Sequence, residues 1–310
     1  MAKSKSVAAF VVAGLGLGTA LGVALGVFAI SPTVSAGGAG GESSIREEHR
    51  RVLQENQIYQ NQNGASDSVI NELSPKIVDG SLAQRPVLVL TTAEAVDGDV
   101  DAVKNLLRAA AAQDAGSIRL TEDFFRQENS DKILSLVSST LPAGAQLSTD
   151  SRDAGTHAGE ALGAGLFMNP KTTEPLATSK ERATLLQALR EAGYIDYEDE
   201  TILPAQAIVI VTGRGSNGYY ADTLAKLATQ LEETAGSTVV AGRVEQAGEE
   251  RVIGKLRAGG TKVSTVDSID RASSRLATVL AVKEQLDGSS GAYGSAPSAS
   301  SATPALPKDA

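Results

Sequence analysis

The motif richest in chemical implication is Gly213-Arg214-Gly215-Ser216-Asn217-Gly218. It follows an apolar run and opens a helical one, the setting in which a glycine-rich turn holds a pyrophosphate against a helix N-terminus. Three features argue against a dinucleotide. The turn follows a later strand, not the first. Gly242-Arg243 stands at the end of the next strand, where a ribose-binding acid is needed. The domain is also expected outside the cytoplasm. A tight turn selected on steric grounds is the simpler reading, with an anion at that helix N-terminus as the remaining alternative.

Metal and nucleophile chemistry is thinly supplied. Soft Cu(I) prefers sulfur and harder Cu(II) accepts imidazole, but the chain offers no cysteine, only Met1 and Met168, and only His49 and His157. The two histidines fall on separate expected elements. The run Glu198-Asp199-Glu200 reads as a solvated loop. A Ser-His-acid triad has only those two histidines to recruit, and no nucleophile elbow is present. The residues therefore assign no catalytic, cofactor-binding or metal position, and a non-enzymatic protein is expected.

Composition narrows the partners. A net charge of −9 without a Lys/Arg block, no tryptophan and few aromatics argue against nucleic acid. The absence of cysteine excludes a disulfide framework and thiol catalysis.

Residues 1–6 carry Lys3 and Lys5, and the next 24 positions, Val7 to Ile30, carry no charge. As a helix they span roughly 36 Å against a hydrocarbon core of about 30 Å. The flanking lysines put the N-terminus in the cytoplasm and the main domain outside it. A cleaved signal peptide is the alternative: Val34-Ser35-Ala36 is a passable small-residue site, although the apolar run is longer than an ordinary signal core. Gly14, Gly18, Gly22 and Gly26 fall on one helix face, which suits self-association in a membrane. Residues 31–68 read as a linker and a helical stalk, with Ile45, Val52 and Tyr59 spaced by seven as one seam of a possible coiled coil.

From residue 69 to 287 the pattern is α/β. Strands are expected at Pro86–Leu90, Ser117–Leu120, Ala207–Val211, Thr238–Ala241 and Val263–Val266. Helices are expected around Val100–Ala110, Ile133–Leu141, Leu185–Leu189, Leu224–Leu231, Val252–Leu256 and Leu276–Leu286. Asp97 or Asp99 is available to cap the first helix and Gly193 to close the third. Alternation of this kind predicts a mostly parallel sheet with flanking helices. Gly155, Gly159 and Gly163 repeat every four residues; each costs a helix about 1 kcal/mol relative to alanine, so a close packing face must compensate. Residues 288–310, rich in Ser, Ala, Pro and Gly, are expected to be disordered.

Several segments in order carry a resemblance. They are Leu141-Pro142-Ala143-Gly144-Ala145-Gln146-Leu147-Ser148-Thr149, Ala158-Gly159-Glu160-Ala161-Leu162-Gly163 and Ala207-Ile208-Val209-Ile210-Val211-Thr212-Gly213. Further on come Ser264-Thr265-Val266-Asp267-Ser268-Ile269-Asp270, Ala277-Thr278-Val279-Leu280-Ala281 and Gly291-Ala292-Tyr293-Gly294. The chain resembles the MctB-like copper transport protein family of mycobacteria and corynebacteria. The resemblance implies a cell-envelope location, described for the family as outer-membrane, and a part in copper transport or homeostasis. It carries over no ligand set, so copper is implied by kinship alone. A pore within one chain meets a physical objection, because a spanning barrel needs about eight strands of 9–11 residues with alternating lipid-facing side chains. Two readings follow: a copper-homeostasis protein acting through a partner or an oligomer, or a non-catalytic membrane adaptor that binds an envelope partner in wall remodelling or cell division.

Overall fold

The computed structural model describes residues 41–214 and 218–306. The expected membrane helix at 7–30, its glycine stripe and most of the linker lie outside them. Among the described residues no helix is long and apolar enough to cross a membrane. The chain falls into two units, up to Asn61 and from Gln62 onward. A long helix, α1 (Gly41–Val78), contributes to both. In the first unit it is solvent-exposed, with Leu53, Ile58 and Tyr59 each more than half accessible.

The second unit is an α/β sandwich. Among the described residues its seven strands are β1 (Pro86–Thr92), β2 (Gln113–Leu120), β3 (Ile195–Tyr197), β4 (Ala207–Val211), β5 (Thr238–Ala241), β6 (Ser264–Val266) and β7 (Ala292–Tyr293). They lie in the order β3-β2-β1-β4-β5-β6-β7. Every pairing is parallel except β2 with β3. The helices are α2 (Asp97–Ala109), α3 (Ser130–Ser139), α4 (Ala154–Leu166), α5 (Ser179–Glu191), α6 (Gly218–Ala235), α7 (Val252–Ala258) and α8 (Ala272–Leu286).

Strand periodicity explains the layers. In β4 all five residues are buried, as a central strand covered on both faces requires. Ile208 and Ile210 join Leu88, Leu90 and Val240 against α3, α4, α5, α6 and α7. Ala207, Val209 and Val211 join Val87, Val89 and Val239 against α2, α8 and the end of α1. The mostly parallel sheet with helices on both faces is thus present, and all five expected strands lie within or overlap observed ones.

The glycine face of α4 packs against α6. A Cβ at Gly155 would lie 2.5 Å from the Thr223 carbonyl oxygen, and one at Gly159 would lie 2.8 Å from that of Leu227. Gly193 has φ +80 just past α5, where its amide bonds to the Arg190 carbonyl, the left-handed closure expected of it.

Three expectations are corrected. The helix read as a stalk ending by residue 68 continues through Gly64 and Pro75 to Val78. Its last turns place Ile70, Ile77 and Val78 on the second core layer, and such packing outweighs local propensity. Neither Asp97 nor Asp99 caps α2, whose N-cap is Val96 without a side-chain bond; Asp99 is instead drawn into a buried ion pair. The tail expected to be disordered from Gly288 is built into the sheet as far as β7, and Ser301 lies beside Tyr293 in an isolated bridge. The cause is a long-range clamp. Buried Asp267 accepts hydrogen bonds from the amides of Ser295 and Ala296 and pairs with buried Arg257 at 2.9 Å; Arg257 also donates to the Tyr293 carbonyl.

Candidate functional site

In an open parallel sheet, ligands collect beyond the C-terminal ends of the strands where the order reverses. Here that place lies between β1 and β4, and the glycine-rich motif begins there with Gly213, just after β4. The Thr212 hydroxyl meets the Tyr220 hydroxyl at 2.9 Å and that of Thr92 at 3.4 Å. The Tyr220 ring packs against Phe125 with centroids 4.3 Å apart and planes inclined by 41°. Burial pushes the Tyr220 phenol up to about 12, against the hydrogen bonds from Thr212 and Thr92. At neutral pH it therefore keeps its proton and serves as a hydrogen-bonding partner, not as a base.

Main chain fills the crevice. A Cβ at Gly213 would coincide with the Glu94 carbonyl, and Gln246 Nε2 donates to the Gly213 carbonyl at 2.8 Å. Gly213 is thus a steric glycine, in keeping with the tight-turn reading. Residues 215–217 of the motif lie outside the described residues. Arg243, at the position where a ribose-binding acid is needed, donates through Nε to Asp99 Oδ2 at 3.0 Å, and Arg275 lies 3.5 Å from Asp99 Oδ1. Asp99 is buried, and its hydrogen bond raises the Arg243 pKa. These charges hold α2 and α8 to the crest of the sheet.

Each sulfur and imidazole donor has its own setting. His49 lies on the exposed part of α1. His157, in the second unit, is buried on α4 with Nε2 3.0 Å from the Ser148 carbonyl. Met168 sits beside Pro175 in an isolated bridge, and Met1 lies outside the described residues. Among the described residues no three His, Cys, Asp or Glu side chains gather as a metal site. Glu198, Asp199 and Glu200 form the loop after β3, and Asp199 is ion-paired with Arg190.

Segments that carry the family resemblance in the sequence meet in space. Both oxygens of Glu160 accept the Ser148 amide, at 3.1 and 3.0 Å, tying the 141–149 segment onto α4. Asp153 caps that helix through the Thr156 amide and pairs with Lys226 of α6. Burial raises its pKa, but these bonds outweigh it and leave the carboxyl below its usual value. Asp267 joins the 264–270 segment to Gly291–Gly294, and Gly294 lies so close to the Asp267 carboxylate that a side chain would overlap it. The sequence reading missed one residue, Arg182, which lines a groove beside α5. The available signal was a charge on that helix's apolar stripe, since Arg182, Leu185, Leu186 and Leu189 stand at i, i+3, i+4 and i+7.

Kinship agrees with these clamps. The family model described as "Copper transport outer membrane protein, MctB" matches residues 5–304. Proteins named Copper transporter MctB from Mycobacterium tuberculosis and Mycobacterium bovis are 32% identical over 277 residues, covering 84% of this chain and 88% of theirs. The Mycobacterium leprae protein of that name is 33% identical over 248 residues, covering 75% and 77%. Matched from near its N-terminus to the clamped C-terminal segment, the chain belongs to the MctB family.

Proposed function

We propose that this MctB-family chain serves copper transport or homeostasis at the cell envelope, as a membrane-anchored protein without catalytic chemistry of its own. Kinship over residues 5–304 with proteins named copper transporters carries the reading. The uncharged run Val7–Ile30 behind Lys3 and Lys5 supports an anchor with the α/β unit outside the cytoplasm. The scarcity of sulfur and imidazole donors, two methionines, two histidines and no cysteine, favours copper handling through a partner or an oligomer over a dedicated copper site. Pairing through the membrane glycine stripe and the exposed α1 would supply the oligomer.

Two measurements test this. A deletion strain is expected to accumulate copper and to stop growing at lower copper than its parent; unchanged copper content and tolerance would refute the copper role. A single cysteine at exposed Ser138, in a chain that otherwise has none, is expected to react with an impermeant maleimide when only the outer envelope is permeabilised. Protection until the inner membrane is lysed refutes the orientation.

The scarcity of soft donors also favours a second reading, a non-catalytic adaptor that binds an envelope partner in wall remodelling or cell division. Normal copper handling in the deletion strain, together with a defined crosslinked partner of the α/β unit, would select it.

A further inference from the structure

The face of α5 that should cover only apolar side chains also shelters a cation, Arg182, whose head opens on a groove. Arg182 is 9% exposed, and among the described residues its guanidinium has no hydrogen-bond or ion-pair partner. Burial alone acts on it, pulling its pKa below the usual arginine value. Other sheltered arginines are satisfied: Arg257 by Asp267, Arg243 by Asp99. The guanidinium nitrogens keep some contact with water in the groove, but a cation stripped of most of its hydration and lacking an ion-pair partner is a ready receptor for an anion.

The partner's place is open. Arg182 lines a groove of about 790 Å³ between α5 and the segment after β3, within the size range of small-molecule sites. Leu186 and Ile202 supply apolar wall, and Ser179 and Gln187 supply polar groups. Arg190 does not compete for an incoming anion, because it is paired with Asp199 and lies 4.9 Å over the Tyr197 ring. Two further exposed carboxylates, Glu191 and Glu200, also line the groove. The lining therefore has a sheltered positive centre and an exposed negative margin.

We propose that this groove binds a zwitterion the size of a short peptide. Its terminal carboxylate takes the Arg182 guanidinium as a two-pronged partner, and its ammonium faces Glu191 and Glu200. The same acids disfavour a dianion such as phosphate. The site stands apart from the copper reading, and its failure would leave that reading untouched.

The test is calorimetry on the purified full chain with trialanine, trialanine C-terminal amide, N-acetyl-trialanine and inorganic phosphate. Trialanine is expected to bind with a Kd below about 1 mM, the two blocked peptides about 10-fold more weakly, and phosphate more weakly still. Arg182→Gln and Arg182→Lys are each expected to lose about 10-fold in affinity for trialanine, since neither retains the guanidinium fork. Arg182→Met reports on the fold: its melting temperature should equal or exceed that of the parent, because the arginine is held for a ligand and not for packing. The proposal is overturned if the parent binds no trialanine, if Arg182→Gln binds it equally well, or if phosphate binds as tightly. A marked fall in melting temperature for Arg182→Met, without peptide binding by the parent, assigns the residue a structural role instead.

Discussion

Substituting Gly159 by alanine sets two known effects against each other. In an isolated helix the change stabilises by about 1 kcal/mol. In α4 the new methyl would lie 2.7 Å from Gln230 Cβ, 2.8 Å from the Leu227 carbonyl oxygen and 3.1 Å from Leu227 Cα. Two of those atoms are main chain of α6 and cannot swing aside, so α4 must move off its neighbour, an overpacking in the upper part of the usual range, about 2–3 kcal/mol. The net expectation is a loss of about 1–2 kcal/mol, a fall of roughly 2–8 °C in melting temperature for a unit of this size. Thermal unfolding followed by far-ultraviolet circular dichroism measures it. Gly163→Ala should lose somewhat less, because none of the three nearest atoms there is main chain: rotation of Thr234 can move its Oγ1 and Cγ2, leaving its Cβ at 2.9 Å as the contact that needs a small shift. Gly98→Ala is the control. That position is exposed on α2 with nothing within 4 Å of an added Cβ, so the substitution should be neutral or stabilising. A Gly159→Ala protein as stable as its parent, or a Gly98→Ala protein equally impaired, would refute the argument that the glycines exist for close helix approach.

Three further outcomes are expected. Asp267→Ala leaves Arg257 buried without its partner and should cost about 3–5 kcal/mol, with hydrogen exchange accelerating first in Ala292–Ser301; unchanged protection there would remove the clamp from the account. Glu160→Ala frees the Ser148 amide at a cost of about 1–3 kcal/mol, and faster exchange should be confined to the 142–153 loop. Tyr220 ionises at about 12 in the fold against an ordinary value near 10, so the stability it contributes is complete below about pH 10 and is lost as pH rises towards about 12. Phenolate absorbance should show it among the last of the tyrosines to titrate, and Tyr220→Phe should flatten that part of the stability–pH curve.

The elements legible in the sequence were those whose own residues decide them. Ala207–Val211 is apolar at every position and Thr238–Ala241 nearly so, and each became a strand with the expected bounds. The four-residue spacing of Gly155, Gly159 and Gly163 announced a close packing face, and α6 supplies the other side. What stayed hidden depends on distant partners. β3 is three residues long and pairs antiparallel only at the sheet edge. β7 is two residues long in a Ser/Ala-rich stretch, held by an Asp and an Arg far from it in the chain. Asp99 looked like a helix cap because the arginines that claim it lie 144 and 176 residues later. Arg182 was readable as an intruder on a leucine stripe, but only the open groove beside it gives the intrusion a purpose.

The clamp at Asp267 also bears on the order of events during synthesis. Until residues 292–301 have left the ribosome, β6 is an unpaired sheet margin, and Arg257 and Asp267 lack the amides and carbonyl that complete their shelter. Nascent chains of this protein should therefore wait for β7 before this side of the sheet is settled. Ribosome-stalled intermediates ending before Ala292 should remain sensitive to protease and available to chaperones, however well the preceding strands have formed.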